Sequence, residues 1–222
     1  YKQGDFLNAI GEFNKIIDGD NAVAQNAYYH LAESYLKLDR KQEALNAFKN
    51  ASEMDFKPEI QQDAAFNYAK LSYEIGNSYQ SVPEVIQGFL EQYPDHPQQL
   101  EMEGLLVDSY ISSRNYQAAL EILEDRPRAA ERQVLQKVAF LRGVELFNEG
   151  NFSEARSLFD RSLEAGESGA VAVRATYWAA ECDYLKGDFE AALNGYEKFR
   201  SMAASVSVPE SRTIDYNQGY AY

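Results

Sequence analysis

The chain has 222 residues, of which 45% are hydrophobic, and carries a formal net charge of −14 at pH 7. A mean hydropathy of −0.50, and the lack of a run of about 18 apolar residues, argue against direct membrane insertion. The excess of acid repels phosphate backbones, so we expect no nucleic-acid partner. The single cysteine, Cys182, has no partner for an intrachain disulfide, and we expect it to be a buried, inert thiol on an apolar helix face.

Apolar residues recur with the helical period along nearly the whole chain, and no segment reads as a convincing strand. The predicted helices, in chain order, span about 7–18, 22–38, 41–54, 58–76, 83–93, 97–113, 116–125, 128–149, 152–165, 169–186 and 189–203, and a last helix begins near Pro209. Pro58, Pro97 and Pro127 also precede or open predicted helices, which suits the fixed φ of proline. The sequence therefore predicts an all-α fold.

One short motif joins consecutive helices. Gly150 suits the left-handed position just past a helix end, and Asn151 can cap the next helix. Phe152, Ala155 and Phe159 then lie on one face of that helix. Related patterns begin at Gly4, Lys41, Asn115 and Gly187. The motif indicates a series of helical hairpins.

The spacing of the small core positions reveals a repeat. These positions are Ala9, Ala44, Val85, Ala119, Ala155 and Ala192, and they are separated by 35, 41, 34, 36 and 37 residues. A period of about 34 residues with two helices per period is typical of tetratricopeptide repeats (TPR). The second repeat resembles that family directly through Tyr28, Leu31, Ala32, Tyr35, Ala44, Phe48 and Ala51. The resemblance covers nearly the whole chain.

The resemblance implies a right-handed α-solenoid of stacked antiparallel helical hairpins, the TPR superhelix, in a single array. The predicted repeats are a partial one at 1–20, five at about 21–56, 57–95, 96–126, 127–167 and 168–206, and a partial one at 207–222. Because both ends cut into a repeat, we expect the stretch to be a fragment of a longer chain. The third repeat carries about four extra residues between Gly76 and Pro83, where Ser81 can cap the following helix. That insertion is either a tolerated surface loop or part of a binding face.

The sequence carries no pattern typical of catalysis, a cofactor site or a metal site. The two histidines, His30 and His96, lie in different repeats without a second ligand at metal spacing. No glycine-rich phosphate loop or nucleophile motif is present. We therefore expect a protein that is not an enzyme and binds no cofactor.

In the TPR family, alternate turns of each first helix line a concave groove, and this position predicts the binding residues. They are Tyr29, His30, Glu33, Phe66, Asn67, Lys70, Asp108, Phe140, Tyr177, Trp178, Glu181 and Tyr216. TPR adaptors for chaperone tails carry a Lys, Asn and Arg carboxylate clamp there, but only Asn67 fits it, and Glu33 would repel a terminal carboxylate. Aromatic rings among acids predict a protein or peptide partner that is basic and apolar.

The junction from Phe89 to Pro97 resembles those of bacterial cell-envelope TPR proteins, and the tyrosine-rich repeats resemble those of Bacteroidetes-type bacteria. The resemblance implies a location in the periplasm or at the outer membrane, with the cytoplasm as the alternative. The predicted function is a non-catalytic protein–protein interaction scaffold. The alternatives are a structural module that self-associates through its ends or convex face, and an accessory domain of a larger envelope protein.

Overall fold

The computed structural model describes residues 5–125, 131–203, 207–212, 214 and 219. In that part of the chain the regular elements are helices, with no strand. The α-helices are α1 Phe6–Phe13, α2 Ala22–Lys37, α3 Lys41–Glu53, α4 Pro58–Ile75, α5 Val82–Gln92, α6 Gln99–Ser112, α7 Tyr116–Asp125, α8 Arg132–Asn148, α9 Phe152–Ala165, α10 Gly169–Leu185 and α11 Phe189–Ala203. A short 3-10 helix follows at Pro209–Arg212. The prediction of an all-α solenoid of helical hairpins is confirmed.

The chain divides into two compact units, Tyr1–Ser109 and Tyr110–Tyr222. In the first unit, α2 packs on both α1 and α3, and α4 packs on both α3 and α5. In the second unit, α8 packs on α7 and α9, and α10 packs on α9 and α11. Within each unit, these helices thus bury apolar faces against their neighbours in the chain, as repeat arrays require. The handedness of the solenoid and the repeat boundaries stay predictions.

Most helices lie within two residues of their predicted bounds, but two predictions differ. The first helix ends at Phe13 instead of near residue 18, because residues 14–18 form turns with three-residue hydrogen bonds such as Ile16 N–H to Phe13 O. Asn14, Ile16 and Ile17 are weaker helix formers than the residues that helices favour. The eighth helix, α8, begins at Arg132 instead of near residue 128. After the 3-10 turn at Pro209–Arg212, Ile214 and Gly219 are helical, and the bounds of that last helix lie outside the described residues.

The predicted turn chemistry is largely confirmed. Gly150 and Gly187 have φ of +83°, the left-handed conformation that glycine adopts at low cost. Ser81 forms a reciprocal capping box with Glu84. Asn151 is a correction: its side chain makes no cap bond to α9 and instead donates to the Glu149 carboxylate at 3.4 Å.

The small residues of the repeat form the core, as predicted. Ala44, Ala119, Ala155 and Ala192 are fully buried, while Val85 and Ala9 are 7% and 9% exposed. In the second unit, Ala155 packs in a cluster with Phe140, Phe159 and Cys182. Small side chains at these positions let the helices of a hairpin approach closely. No helix among the described residues combines the length and the apolarity needed to cross a bilayer.

Candidate functional site

The predicted binding residues lie on the first helix of each hairpin, and we call them the first-helix face. Its members are Tyr29, His30 and Glu33 on α2, Phe66, Asn67 and Lys70 on α4, Asp108 on α6, Phe140 on α8, and Tyr177, Trp178 and Glu181 on α10. The remaining predicted residue, Tyr216, lies outside the described residues. The members on α2, α4 and α6 belong to the first unit, and those on α8 and α10 belong to the second.

Polar contacts link successive first helices in the first unit. The Tyr29 hydroxyl on α2 donates to the Asp63 carboxylate on α4. The Lys70 ammonium on α4 donates to the Glu101 carboxylate on α6 at 2.7 Å. Asn67 reinforces the first link, because its amide donates to the Asp63 backbone and side chain at 2.8 and 3.1 Å. These contacts hold three helices side by side on one surface.

The aromatic groups of the first unit are half-buried. The Phe66 ring stacks on His96, with ring centroids 5.1 Å apart, and the Lys70 ammonium lies 5.6 Å from the Phe66 centroid. Tyr29 packs edge-on against His30 at 5.5 Å. Each of these rings keeps part of its surface accessible, so a partner could pack against it without unfolding the helix.

Acidic groups on this face are themselves engaged. Glu33 pairs with His30 Nδ1 at 2.8 Å, and Glu74 pairs with Lys41. Asp108 is exposed. The ion pairs of Glu74 and of Glu101 are solvent-accessible, so they contribute little to stability and can be exchanged for contacts to a partner.

In the second unit, two predicted residues prove to be buried. Phe140 is 3% exposed and Tyr177 is 5% exposed, so the prediction that these two residues line an accessible groove is corrected. Tyr177 packs against Phe199 of α11 at 5.3 Å. Phe140 packs against Phe159 of α9 at 5.9 Å. Both rings fill the space between the first and second helices of their hairpins and belong to the core.

Trp178 and Glu181 remain partly accessible on α10. The indole of Trp178 packs edge-on against Phe147 at 4.9 Å. Glu181 accepts a hydrogen bond from the Tyr196 hydroxyl at 2.8 Å. Burial, aided by this bond to a carboxylate, raises the pKa of Tyr196 far above its ordinary value. The Tyr196 proton thus stays in place to orient Glu181.

Among the residues the structure describes, no group of three or more His, Cys, Asp or Glu side chains is arranged to hold a metal ion. Burial also raises the pKa of the Cys182 thiol to about 12, and Cys182 is 0% exposed, which confirms the prediction of a buried thiol. A thiol that is protonated and covered from solvent is a poor nucleophile.

The sequence comparisons agree with the geometry. A model of the tetratricopeptide repeat family matches residues 1–51 and 140–199, together half of the chain. The chain belongs to the tetratricopeptide repeat family. Among curated proteins, none matches the sequence of this TPR chain at a significant level.

Several solved structures are similar to the chain. The C-terminal part of a TPR repeat-containing protein from Cytophaga hutchinsonii aligns over 100% of this chain and 84% of its own, at 18% identity and a TM-score of 0.50. MamA of strain AMB-1 aligns over 85% of this chain and 97% of its own, at 22% identity and a TM-score of 0.47. The TPR2AB domain of yeast Sti1, in a complex with pHSP90, aligns over 100% and 81%, at 16% identity and a TM-score of 0.44.

The structure shows one residue in contact with the first-helix face that the sequence analysis missed. Glu210 accepts hydrogen bonds from Arg174 Nε at 2.8 Å and from Trp178 Nε1 at 3.0 Å. Its distance along the chain from Arg174, 36 residues, is close to the 34 residues between Tyr29 and Asp63. Contacts between consecutive first helices recur at about the repeat length, so the spacing was the signal that could have found Glu210.

Proposed function

We propose that this TPR chain is a non-catalytic scaffold that binds a protein or peptide segment on its first-helix face. TPR proteins are in general interaction modules without catalytic activity, and the match to the family covers half of the chain. The observation that carries the proposal lies on the first unit, where the half-buried rings of Tyr29 and Phe66 share the first-helix face with the exposed Lys70, whose ammonium lies 5.6 Å from the Phe66 centroid. Accessible aromatic groups rimmed by charge are typical anchors for a partner.

The charges favour a basic and apolar partner, above all on the first unit. Lys70, the base at the centre of that face, is already paired with Glu101. Glu74 and Asp108 are exposed, and the whole chain carries a net charge of −14. A basic segment can replace solvent-exposed intramolecular ion pairs with intermolecular ones, while an acidic segment is repelled. Association with such a partner should slow as salt is added.

The test is a pull-down from an extract of the native cell with wild type and two charge-reversed variants. Glu74 lies on α4, one helical turn beyond Lys70, so Glu74→Lys changes the charge at the edge of the first-helix face. Glu91→Lys makes the same charge change at an exposed position of the second helix α5. Glu74 accepts from the Lys41 ammonium and Glu91 from the Gln87 amide. Because Glu74→Lys also brings two ammonium groups together, circular dichroism must show that both variants keep the wild-type helix content. We expect Glu74→Lys to lower the yield of bound protein about tenfold, as one lost charge pair allows. Equal yields from both variants would refute the proposed binding face.

A second candidate function is self-association, which one observation favours. Leu185 and Phe189, at the turn between α10 and α11, are 47% and 49% exposed. Phe189 is held by Tyr184, with ring centroids 5.6 Å apart. Apolar side chains grouped at a turn suit a contact between copies. Light scattering tests it: a mass that rises with protein concentration, and falls to that of one chain in Leu185→Ser, supports self-association.

We also propose that the protein acts in the bacterial cell envelope, in the periplasm or at the outer membrane. Support comes from the junction between Phe89 and Pro97, which resembles those of envelope TPR proteins. Fractionation of native cells, with antibody detection, tests the location. Recovery in the cytoplasmic fraction alone would contradict it.

A further inference from the structure

A segment near the end of the described chain is seated on the first-helix face of α10. The 3-10 turn Pro209–Arg212 places the Glu210 side chain against that helix, where it is only 6% exposed. One carboxylate oxygen, Oε1, accepts from both Arg174 Nε at 2.8 Å and Trp178 Nε1 at 3.0 Å. A charged group seated this deeply requires donors aimed at it.

Apolar residues on both sides of Glu210 complete the contact. Val208 and Ile214 are each 6% exposed, and both belong to the cluster that contains Tyr177 and Phe199. The segment therefore presents an apolar side chain, an acid two residues later, and a second apolar side chain four residues beyond the acid. All three side chains pack against α10 or α11.

The donors are held in place by groups outside the segment. The Arg174 guanidinium lies over the ring of Phe140, 4.9 Å from its centroid, and Phe140 is fixed in the core between α8 and α9. Trp178 is held edge-on by Phe147 of α8. Arg174 and Trp178 thus keep their orientation through contacts that do not involve Glu210, which makes them a pre-organised site.

The Arg174–Glu210 ion pair is more buried than the corresponding ion pair of the first unit. Lys70 and Glu101 pair at a similar chain spacing, but their side chains remain 51% and 43% exposed. Glu210 instead fills a site with two donors and apolar walls. The two contacts thus have a similar chain spacing but differ in burial.

We propose that Arg174, Trp178 and the adjoining apolar surface form a binding site for a partner segment that carries a glutamate between two apolar residues. Glu210 is the resident occupant of this site and competes with the partner segment. The chemistry is opposite to that of the acidic face on the first unit. The site stands independently of the basic partner proposed there, because none of its residues belongs to that unit.

A tethered occupant weakens binding of an outside segment. The effective concentration of a segment joined by a short linker is on the order of millimolar. An outside peptide binds only the fraction of molecules whose own segment has left, and its apparent affinity falls by that fraction. A substitution that loosens the packing of the resident segment, with α10 unchanged, should therefore strengthen the binding of a free peptide that has the sequence of that segment.

The test uses the full chain and an end-blocked, fluorescent peptide with the sequence of residues 207–214. Val208→Ser weakens the packing of the resident segment without changing Arg174 or Trp178. Val208→Thr is a milder second variant. Fluorescence anisotropy gives the peptide Kd. Trp178 is the only tryptophan, so its emission reports on the site itself. Circular dichroism measures the helix content of each variant. Only a variant with the wild-type helix content is used in the binding assay.

We expect the peptide to bind the Val208 variant at least tenfold more tightly than wild type. The Trp178 emission of that variant should be red-shifted before the peptide is added and should return to the wild-type position with saturating peptide. A peptide with glutamine in place of the glutamate should bind about ten- to a hundredfold more weakly, since bonds to a charged acceptor are lost. Arg174→Met in the Val208 variant should weaken the binding of the glutamate peptide to the same level.

Three results would overturn the proposal. The first is no binding of the peptide to either Val208 variant. The second is equal binding of the glutamate and glutamine peptides. The third is a wild-type dimer that becomes a monomer in Val208→Ser, which would mean that the segment exchanges between two copies of this chain. The Glu74→Lys pull-down has no bearing on these outcomes, so the two proposals can fail separately.

Discussion

Gly143 of α8 lies directly against the ring of Phe159 in α9. A Cβ atom on Gly143 would stand 2.8 Å from Cε1 and 3.0 Å from Cδ1 of that ring, closer than packed carbon atoms allow. The missing side chain is therefore what lets the two helices of this hairpin pack together. Gly143 is 7 residues from the Gly150 turn, so close approach and chain reversal both depend on glycine here.

Gly143→Ala should lower the free energy of unfolding by about 1–3 kcal/mol, because the added methyl group overpacks the contact with Phe159. Gly88→Ala is the matched control: Gly88 lies in α5, and a methyl group added there would meet no atom within 4 Å. That change should raise stability by about 0.5–1 kcal/mol through helix propensity. Urea denaturation measures both, and a Gly143→Ala variant as stable as wild type would contradict the assigned packing.

Gln25 is fully buried and joins α2 to the end of α3. Its amide nitrogen donates to Met54 O at 2.5 Å and to Ala51 O at 3.2 Å, and its oxygen accepts from Lys57 N–H at 2.7 Å. Gln25→Met should cost about 1–3 kcal/mol, because these backbone groups lose their partner. Hydrogen exchange should show faster exchange of the Lys57 amide.

The control for Gln25 is Gln87→Met, which removes an exposed amide bonded to Glu91. It should change stability by less than about 0.5 kcal/mol. A loss of equal size in both variants would show that the Gln25 bonds add nothing beyond the loss of a polar side chain. In the second unit, Gln136 makes a related bond to Gly166 O at 2.6 Å, so Gln136→Met should behave like Gln25→Met.

Cys182 should react with a disulfide reagent at least about a hundredfold more slowly in the native state than after unfolding, because its thiol is covered and protonated. The double variant Cys182→Ala/Ser157→Cys, with its thiol at an exposed position of α9, should react rapidly when native. Rapid labelling of native wild type would show that Cys182 is accessible.

The Cys182 pKa also predicts a pH dependence. Burial raises it from the ordinary value of 9.0 to about 12 in the folded chain, so the folded state holds this proton more tightly than the unfolded state. The resulting stabilisation is fully present below pH 9 and is lost as the pH rises from about 9 to 12. Denaturation curves of wild type and Cys182→Ala should converge over that range, and a constant gap would contradict the raised pKa.

The sequence was sufficient for the fold because the repeat places a small residue at each close contact. Ala44, Ala119, Ala155 and Ala192 recur at about the repeat length and are all fully buried. The candidate site was predicted less well. Helical periodicity identifies the face on which Tyr177 lies, but not that Phe199 of the next helix covers it.

Glu210 was missed for a related reason. Apolar patterns locate a core, and a buried acid has no apolar pattern of its own. Its donors, Arg174 and Trp178, lie more than 30 residues away along the chain. Only the spacing of about one repeat pointed to the contact, so the sequence predicted Trp178 as a member of a binding face but not its bond to Glu210.

Site-specific photo-crosslinking in native cells tests the central claim most directly. A photoreactive amino acid is placed in turn at Lys70 and Asp108, exposed on the first-helix face, and at Glu91 and Glu121, exposed on the second helices α5 and α7. The account predicts a crosslinked partner protein from positions 70 and 108 and none from 91 and 121. Crosslinking from positions 91 and 121, with none from 70 and 108, would contradict it.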